Sequence, residues 1–253
     1  MKRYLVAIFS CVMVAADCSV AATAQESGSA STKGVAVVEL FTSQGCNSCP
    51  PADVALRQIE ARAKADNASV FVLSFHVDYW NRLGWTDPYS SELASYRQRA
   101  YARAAGSTRV YTPQMIVSGT TEFNGSNRVL AAKAINKALR AKATAFVKLD
   151  ASASEGGVDI DFEVTGADEE FLLNLAIVHT PNANRVPAGE NAGRKLAHVN
   201  VVRAFKAVRL TESGGSARLS LPEDLNASDA RLIAYVQNYN NLSVTGATAI
   251  AIQ

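Results

Sequence analysis

The sequence predicts an α/β half followed by an all-β half. Three observations carry this prediction. A strand–helix–strand order opens at Val35, built on two continuous apolar runs. From about Ala145 onward, roughly seven short strand-like segments follow one another with little helix between them, the texture of a β-sandwich. A Cys46-Asn47-Ser48-Cys49 pair sits where the first run ends and the first helix begins, the edge at which open α/β sheets bind ligands.

The 253 residues suffice for one large domain or two small ones with a substantial core. With 48% hydrophobic residues, 19% charged residues and a net charge of +2, the composition excludes a disordered chain. It equally excludes a dedicated nucleic-acid binder, so no nucleic-acid partner is expected. Lys2 and Arg3 precede an apolar run from Tyr4 to Ala16, and small residues then lead to Ala22-Thr23-Ala24. This is the order of a secretory signal peptide cleaved after Ala24. The alternative, an uncleaved membrane anchor, needs a longer apolar run. Asp17 before Cys18 is a poor setting for a lipid anchor. The expectation is a periplasmic or secreted protein with no stable membrane insertion, since no later stretch is long enough to span a bilayer. Cleavage removes Cys11 and Cys18 and leaves Cys46 and Cys49 in an oxidising compartment. One such pair is too little for a disulfide scaffold and only half of a four-cysteine zinc site.

The elements follow in order. After the signal (1–24), the Ser, Ala and Gly-rich stretch 25–34 reads as a flexible lead. Val35 to Phe41, apolar except for Glu39, suits a central strand buried on both faces. After Cys49, Pro50 and Pro51 precede a helical pattern that ends in basic residues. This helix begins either at the cysteines or at Pro50. Ser69 to Phe75 is a second buried strand, parallel to the first, so the segment His76 to Trp85 emerges beside the cysteines. Asp87-Pro88 reads as an N-cap and first helical position, with a helix to about Ala105. A strand from Val110 to Val117 contains the Thr112-Pro113 pair. A short strand near Thr121 to Phe123 follows, then a helix from Ser126 to Ala143 with Val129, Leu130, Ile135 and Leu139 on its apolar side. The α/β domain is thus placed at 35–144 and the β domain at 145–253. Val158 to Val164 alternates as a sheet with one wet face does. The polar loop from Thr180 to Lys195 is long for a compact domain, which marks it as mobile or functional.

The order of the first half, with C-x-x-C after the first strand and Thr-Pro before a later one, resembles the thioredoxin fold over Val35 to Ala143. In that superfamily the proline is cis and faces the cysteines; Pro113 is its counterpart. The strings ELFTSQGCNSCPPAD, HVDYWNRLGWTDPYS, RQRAYA, VYTPQMIV and GENAGRKLAHVNVVRA are similar to the secreted bacterial proteins grouped as domain-of-unknown-function family 1223. That resemblance implies a thioredoxin-like domain and export, and no particular reaction.

In a redox reading Cys46 is the nucleophile and Cys49 the resolving thiol, with the helix N-terminus and its free amides stabilising the Cys46 thiolate. Protein or peptide thiols and an unidentified redox partner are then the partners. The redox-active disulfide needs no added cofactor and no metal. The protein is on this reading a possible thiol–disulfide oxidoreductase. Thioredoxin-like reductases carry a buried acid close to the position of Glu39, which makes Glu39 a candidate proton acceptor for Cys49. On that basis Glu39→Gln slows release of a trapped mixed disulfide. The other reading of Glu39 is an acid that faces solvent or pairs with a basic residue. Pro113 shapes a substrate groove and presents the Thr112 backbone, or opens a strand in ordinary trans geometry. His76 tunes the thiolate, ligates a metal or caps a strand. Asp78, Tyr79, Trp80 and Trp85 line a peptide groove or pack their loop onto the domain. For His198 and the loop Gly189 to Arg194, two placements stand open: an Arg194–Glu190 ion pair, or a loop folded over the cysteine edge. Two rival readings remain. One is a Cu(I) or zinc carrier using Cys46, Cys49 and His76. The other is a non-catalytic binding module.

Overall fold

A computed structural model describes Met1 and residues 33–253. The signal-peptide reading, Cys11, Cys18 and most of the expected flexible lead fall outside these residues. The described chain forms β1 (Ala36–Thr42), α1 (Pro50–Ala65), β2 (Val70–His76), α2 (Glu92–Ala104), β3 (Gln114–Val117), β4 (Thr121–Asn124) and α3 (Arg128–Arg140). It continues through β5 (Phe146–Ser154), β6 (Gly157–Thr165), β7 (Phe171–His179), β8 (Asn184–Arg185) and β9 (Lys195–Leu196). The last strands are β10 (Val201–Arg209), β11 (Gly214–Ser220), β12 (Ala230–Asn238) and β13 (Val244–Ala251).

Eight strands make one mixed sheet in the order β13-β12-β7-β10-β2-β1-β3-β4. Strands β1 and β2 are parallel, with Thr42 opposite His76. That register brings both strand ends to the edge that carries the cysteines. Every residue of β1 is buried because both faces are covered. Val38 and Leu40 pack with Ala52 and Leu56 of α1 and with Ala131 and Ala134 of α3. Val37 and Phe41 pack on the other face with Ala94 and Tyr101 of α2.

Strands from both sides of the 144/145 boundary share this sheet. The junction is short: Val201 of β10 pairs with Ser74 of β2, Ser74 N–H donates to Asn200 O, and the Asn200 amide donates to Val72 O. A separate sheet, β11-β6-β5, lies over the later strands. Val158, Ile160 and Phe162 from it pack with Leu173, Leu175, Ile177, Leu232 and Ala234 of the large sheet. The sandwich-like texture of the second half thus arises from a three-stranded sheet stacked on strands that extend the first half.

Three local expectations change. The helix expected from Asp87 starts at Glu92, where the Ser91 hydroxyl accepts from Ala94 N–H and caps it. The strand expected from Val110 begins only at Gln114. In α3, the expected Ile135 is buried and Leu139 half-buried against the core, joined by Ala131 and Ala134, whereas Val129 is 78% and Leu130 41% exposed. Among the described residues no helix is long and apolar enough to cross a membrane.

Candidate functional site

Cys46 and Cys49 are joined by a disulfide, with Cα atoms 5.4 Å apart. Cys49 is the N-cap residue of α1, and Pro50 and Pro51 are its first two helical positions. The helix therefore begins at Pro50. This start alters the electrostatics expected at the cysteines. The two prolines contribute no N–H. Ala52 and Asp53 N–H donate to Cys49 O, Cys49 N–H donates to Cys46 O, and Asn47 N–H donates to the Glu190 carboxylate at 3.1 Å. Few free amides are left for Cys46. Its donors are two hydroxyls, that of Thr112 at 3.2 Å from Sγ and that of Ser48 at 3.4 Å. Thr112 Oγ1 itself accepts from Trp80 Nε1 at 2.8 Å, so its own hydrogen is directed at the sulfur. The Thr112–Pro113 bond is cis. Both sulfur-bearing residues are buried, while Asn47 and Ser48 between them are exposed.

The half-buried aromatic residues of the 79–85 segment turn their polar ends inward. Trp85 Nε1 donates to Gln44 Oε1, and Tyr79 Oη donates to Gln98 Oε1. Burial pushes the Tyr79 hydroxyl up to about 12. These contacts pack the loop onto the site.

Glu39 lies elsewhere. It projects to the α2 face, whereas Thr42, His76 and α1 lie on the opposite face of the sheet. Arg97 donates to it twice, at 2.6 and 3.1 Å; Tyr235 donates at 2.8 Å, and Tyr101 donates as well. Arg97 is also stacked over Phe75, Tyr101, Phe205 and Tyr235. Glu39 is the anion of a buried ion pair, the reading that competed with proton transfer.

A different set of polar groups lies behind the cysteine turn, and sequence reasoning missed most of it. The His76 ring donates from Nδ1 to Asp87 Oδ2 at 2.7 Å. Burial works against a charge on His76, but the Asp87 carboxylate outweighs it and raises the histidine above its ordinary value. Burial likewise opposes charge on Asp87, and His76 with the amides of Gln44 and Tyr89 overcomes it, bringing Asp87 down to about 2. His198, just ahead of β10, packs its ring at right angles to His76 at 4.6 Å. Its Nδ1 is 3.7 Å from Asp53 Oδ1, and that oxygen accepts from the Thr42 hydroxyl at 2.9 Å. Asp53 Oδ2, His76 Nε2 and His198 Nδ1 are buried without hydrogen-bond partners. Among the described residues no group of three His, Cys, Asp or Glu side chains is placed to hold a metal ion.

Gln44, fully buried, ties these parts together. Its N–H donates to Asp87 Oδ2, and its side chain pairs amide-to-amide with Asn184. Asn191 donates to the carbonyls of both Gln44 and Cys46, and Arg194 donates to Asn191 Oδ1 at 2.8 Å. The 184–194 loop thus lies against the cysteine turn, and Arg194 bonds Asn191. Gly189, at φ +78°, sits against Trp85, where an added Cβ would come within 3.3 Å of the Trp85 Cβ.

A family model described as "Protein of unknown function (DUF1223)" matches residues 37–237. No curated protein matches the chain. Among solved structures, protein AGR_C_4864 from Agrobacterium tumefaciens is 30% identical, with a TM-score of 0.60 over 86% of this chain and 95% of that one. HBP35 of Porphyromonas gingivalis is 16% identical, with a TM-score of 0.64 over 88% of this chain and 76% of that one, a likeness of fold alone.

Proposed function

We propose that this chain, which belongs to the DUF1223 family of unknown function, is an exported thioredoxin-like protein that carries out thiol–disulfide exchange on protein or peptide thiols. One observation carries the reading: a C-x-x-C disulfide at a helix N-terminus whose Cys46 sulfur accepts a directed hydrogen bond from Thr112. A hydroxyl donor stabilises a thiolate, which is the attacking species. The parallel β1–α1–β2 unit and the adjoining Thr112–Pro113 segment support the thioredoxin-like assignment. The charged, apolar and small-residue order of the N-terminus supports export into an oxidising compartment.

In the exchange, the Cys46 thiolate attacks a substrate disulfide and releases one thiol. Cys49 then attacks Cys46 Sγ, forms the intramolecular disulfide and releases the second thiol. Run backward, the same steps oxidise a substrate dithiol. The test is the reduction potential of the Cys46–Cys49 pair on metal-free protein, together with trapping in Cys49→Ser. A potential between about −120 and −270 mV, with a mixed disulfide accumulating on Cys46 of the variant, is the expected result. A potential below about −300 mV would identify an inert structural bond and remove the proposal.

The Glu190 carboxylate bears on the rate. It occupies the amide of Asn47, the residue next to Cys46, and so brings a carboxylate to the turn that carries the sulfur. Glu190→Ala is expected to speed alkylation of reduced Cys46 about two- to fivefold at low salt, with the gain shrinking as salt rises. A rate equal to the parent's at every ionic strength would show that Glu190 exerts no such field.

A further inference from the structure

We propose that Asp53, held by the Thr42 hydroxyl and faced by His198, is the general base that takes the proton of Cys49 as it resolves a mixed disulfide. The inference rests on the thiol-exchange reading above. Asp53 follows Cys49 by one helical turn, and its N–H donates to Cys49 O at 3.1 Å. Side chains at this spacing share one helix face, and the later one leans back over the earlier. Cys49 has no exposed surface, so its proton cannot leave directly to water. Asp53 is itself only 5% exposed, and Oδ2 is buried with no partner. That oxygen takes a proton without breaking an existing bond. Oδ1 is already engaged by the Thr42 hydroxyl and faces His198.

The hydrogen-bond network sets the His198 tautomer. Trp85 Nε1 is only a donor, so the Gln44 side-chain oxygen must face Trp85, and its NH₂ group then faces His198 at 3.3 Å. His198 Nε2 accepts that bond. The ring hydrogen therefore sits on Nδ1, the atom that faces Asp53. His198 and Gln44 are positioning residues: Gln44 orients the His198 ring, whose Nδ1 stands 3.7 Å from Asp53 Oδ1. Behind His198 stand His76 and Asp87, already joined to each other.

The step balances as follows. Cys49 S–H gives its proton to Asp53 Oδ2. The Cys49 thiolate attacks Cys46 Sγ, the Sγ46–Sγ49 bond forms, and the bond from Sγ46 to the substrate sulfur breaks. The substrate leaves as a thiolate and is protonated by water. One substrate disulfide is reduced and the protein dithiol is oxidised.

The full chain is reduced, freed of reductant and mixed with one equivalent of 5,5′-dithiobis(2-nitrobenzoate). The parent should release thionitrobenzoate in two phases, attack by Cys46 and then resolution by Cys49. Asp53→Asn should leave the first phase unchanged and slow the second by about 10²-fold. Asp53→Glu should restore most of the second rate. His198→Asn should slow the second phase and displace its pH profile, which a purely structural role would leave in place. Two phases in the parent with an unaltered second phase in Asp53→Asn would overturn the inference and leave the exchange reading standing. A parent that releases only one thionitrobenzoate per chain would overturn both. A first phase slowed as much as the second would move the effect to Cys46 and also overturn the inference.

Discussion

Replacing Glu39 by glutamine should cost about 3–5 kcal/mol of folding stability, read as a lowered urea midpoint, and should leave the resolving step of exchange unchanged. Glu39 is 1% exposed and the Arg97 side chain 11%. Burial works against a charge on Arg97, yet the Glu39 carboxylate holds its pKa well above even the usual arginine value. Arginine cannot shed its proton when the partner is removed. Glutamine keeps the shape and one acceptor oxygen, but leaves a buried guanidinium without an anion and presents an amide donor to Arg97, Tyr101 or Tyr235. Losing one partner of a buried pair is far more costly than never having built the pair. The discriminating result is kinetic. A Glu39→Gln variant that folds normally and yet resolves mixed disulfides slowly would restore Glu39 as the proton acceptor.

The contrast between Glu39 and Asp53 shows what was legible in the sequence. Strands β1 and β2 announce themselves by continuous apolar runs, and the crossover helix makes them parallel, so the cysteine edge follows from local pattern. An acid inside such a run also announces itself, but its partner does not. Arg97 lies 58 residues away and Tyr235 lies 196 away, and only the packed sheet brings them to Glu39. Asp53 had the opposite disguise. Its spacing from Cys49 is plain in the sequence, but an acid in the first turn of a helix is ordinarily explained by the helix dipole. His198 was out of reach because its place depends on β10 docking against β2 through a single paired register. Asp87 departs from its expected N-cap place for a tertiary reason. Asp-Pro is a good helix start, but tertiary bonds from His76 and Gln44 claim one carboxylate oxygen and the Tyr89 amide takes the other. The helix instead waits for the Ser91 cap.

Asp87→Asn should lower stability by about 2 kcal/mol in mildly acid solution and change its pH dependence in a defined window. Asp87 sits at about 2 in the fold against an ordinary 3.8. Its contribution is present above 3.8 and lost as pH falls toward 2. His76 is raised above 6.5 by burial being outweighed by Asp87. Its share is complete below 6.5 and disappears as pH rises through the folded-state value. Both shifts describe one ion pair, so they are counted once, and its full effect lies between about pH 4 and 6.5. His179 is lowered by burial and by Arg203, so it loses stability as pH falls and partly masks this trend in the parent alone. The measurement is therefore the difference in unfolding free energy between parent and variant, taken by urea titration from pH 4 to 9. That difference should be largest near pH 5 to 6 and shrink above 6.5. A gap that stays constant to pH 9 would mean that His76 does not carry the charge. The same variant weakens the Gln44 amide's hold, because an asparagine at 87 cannot offer the Asp87 oxygen as an anion to both His76 and Gln44. Gln44 orients His198 toward Asp53, so the ion pair that sets the stability window also braces the proton acceptor behind Cys49.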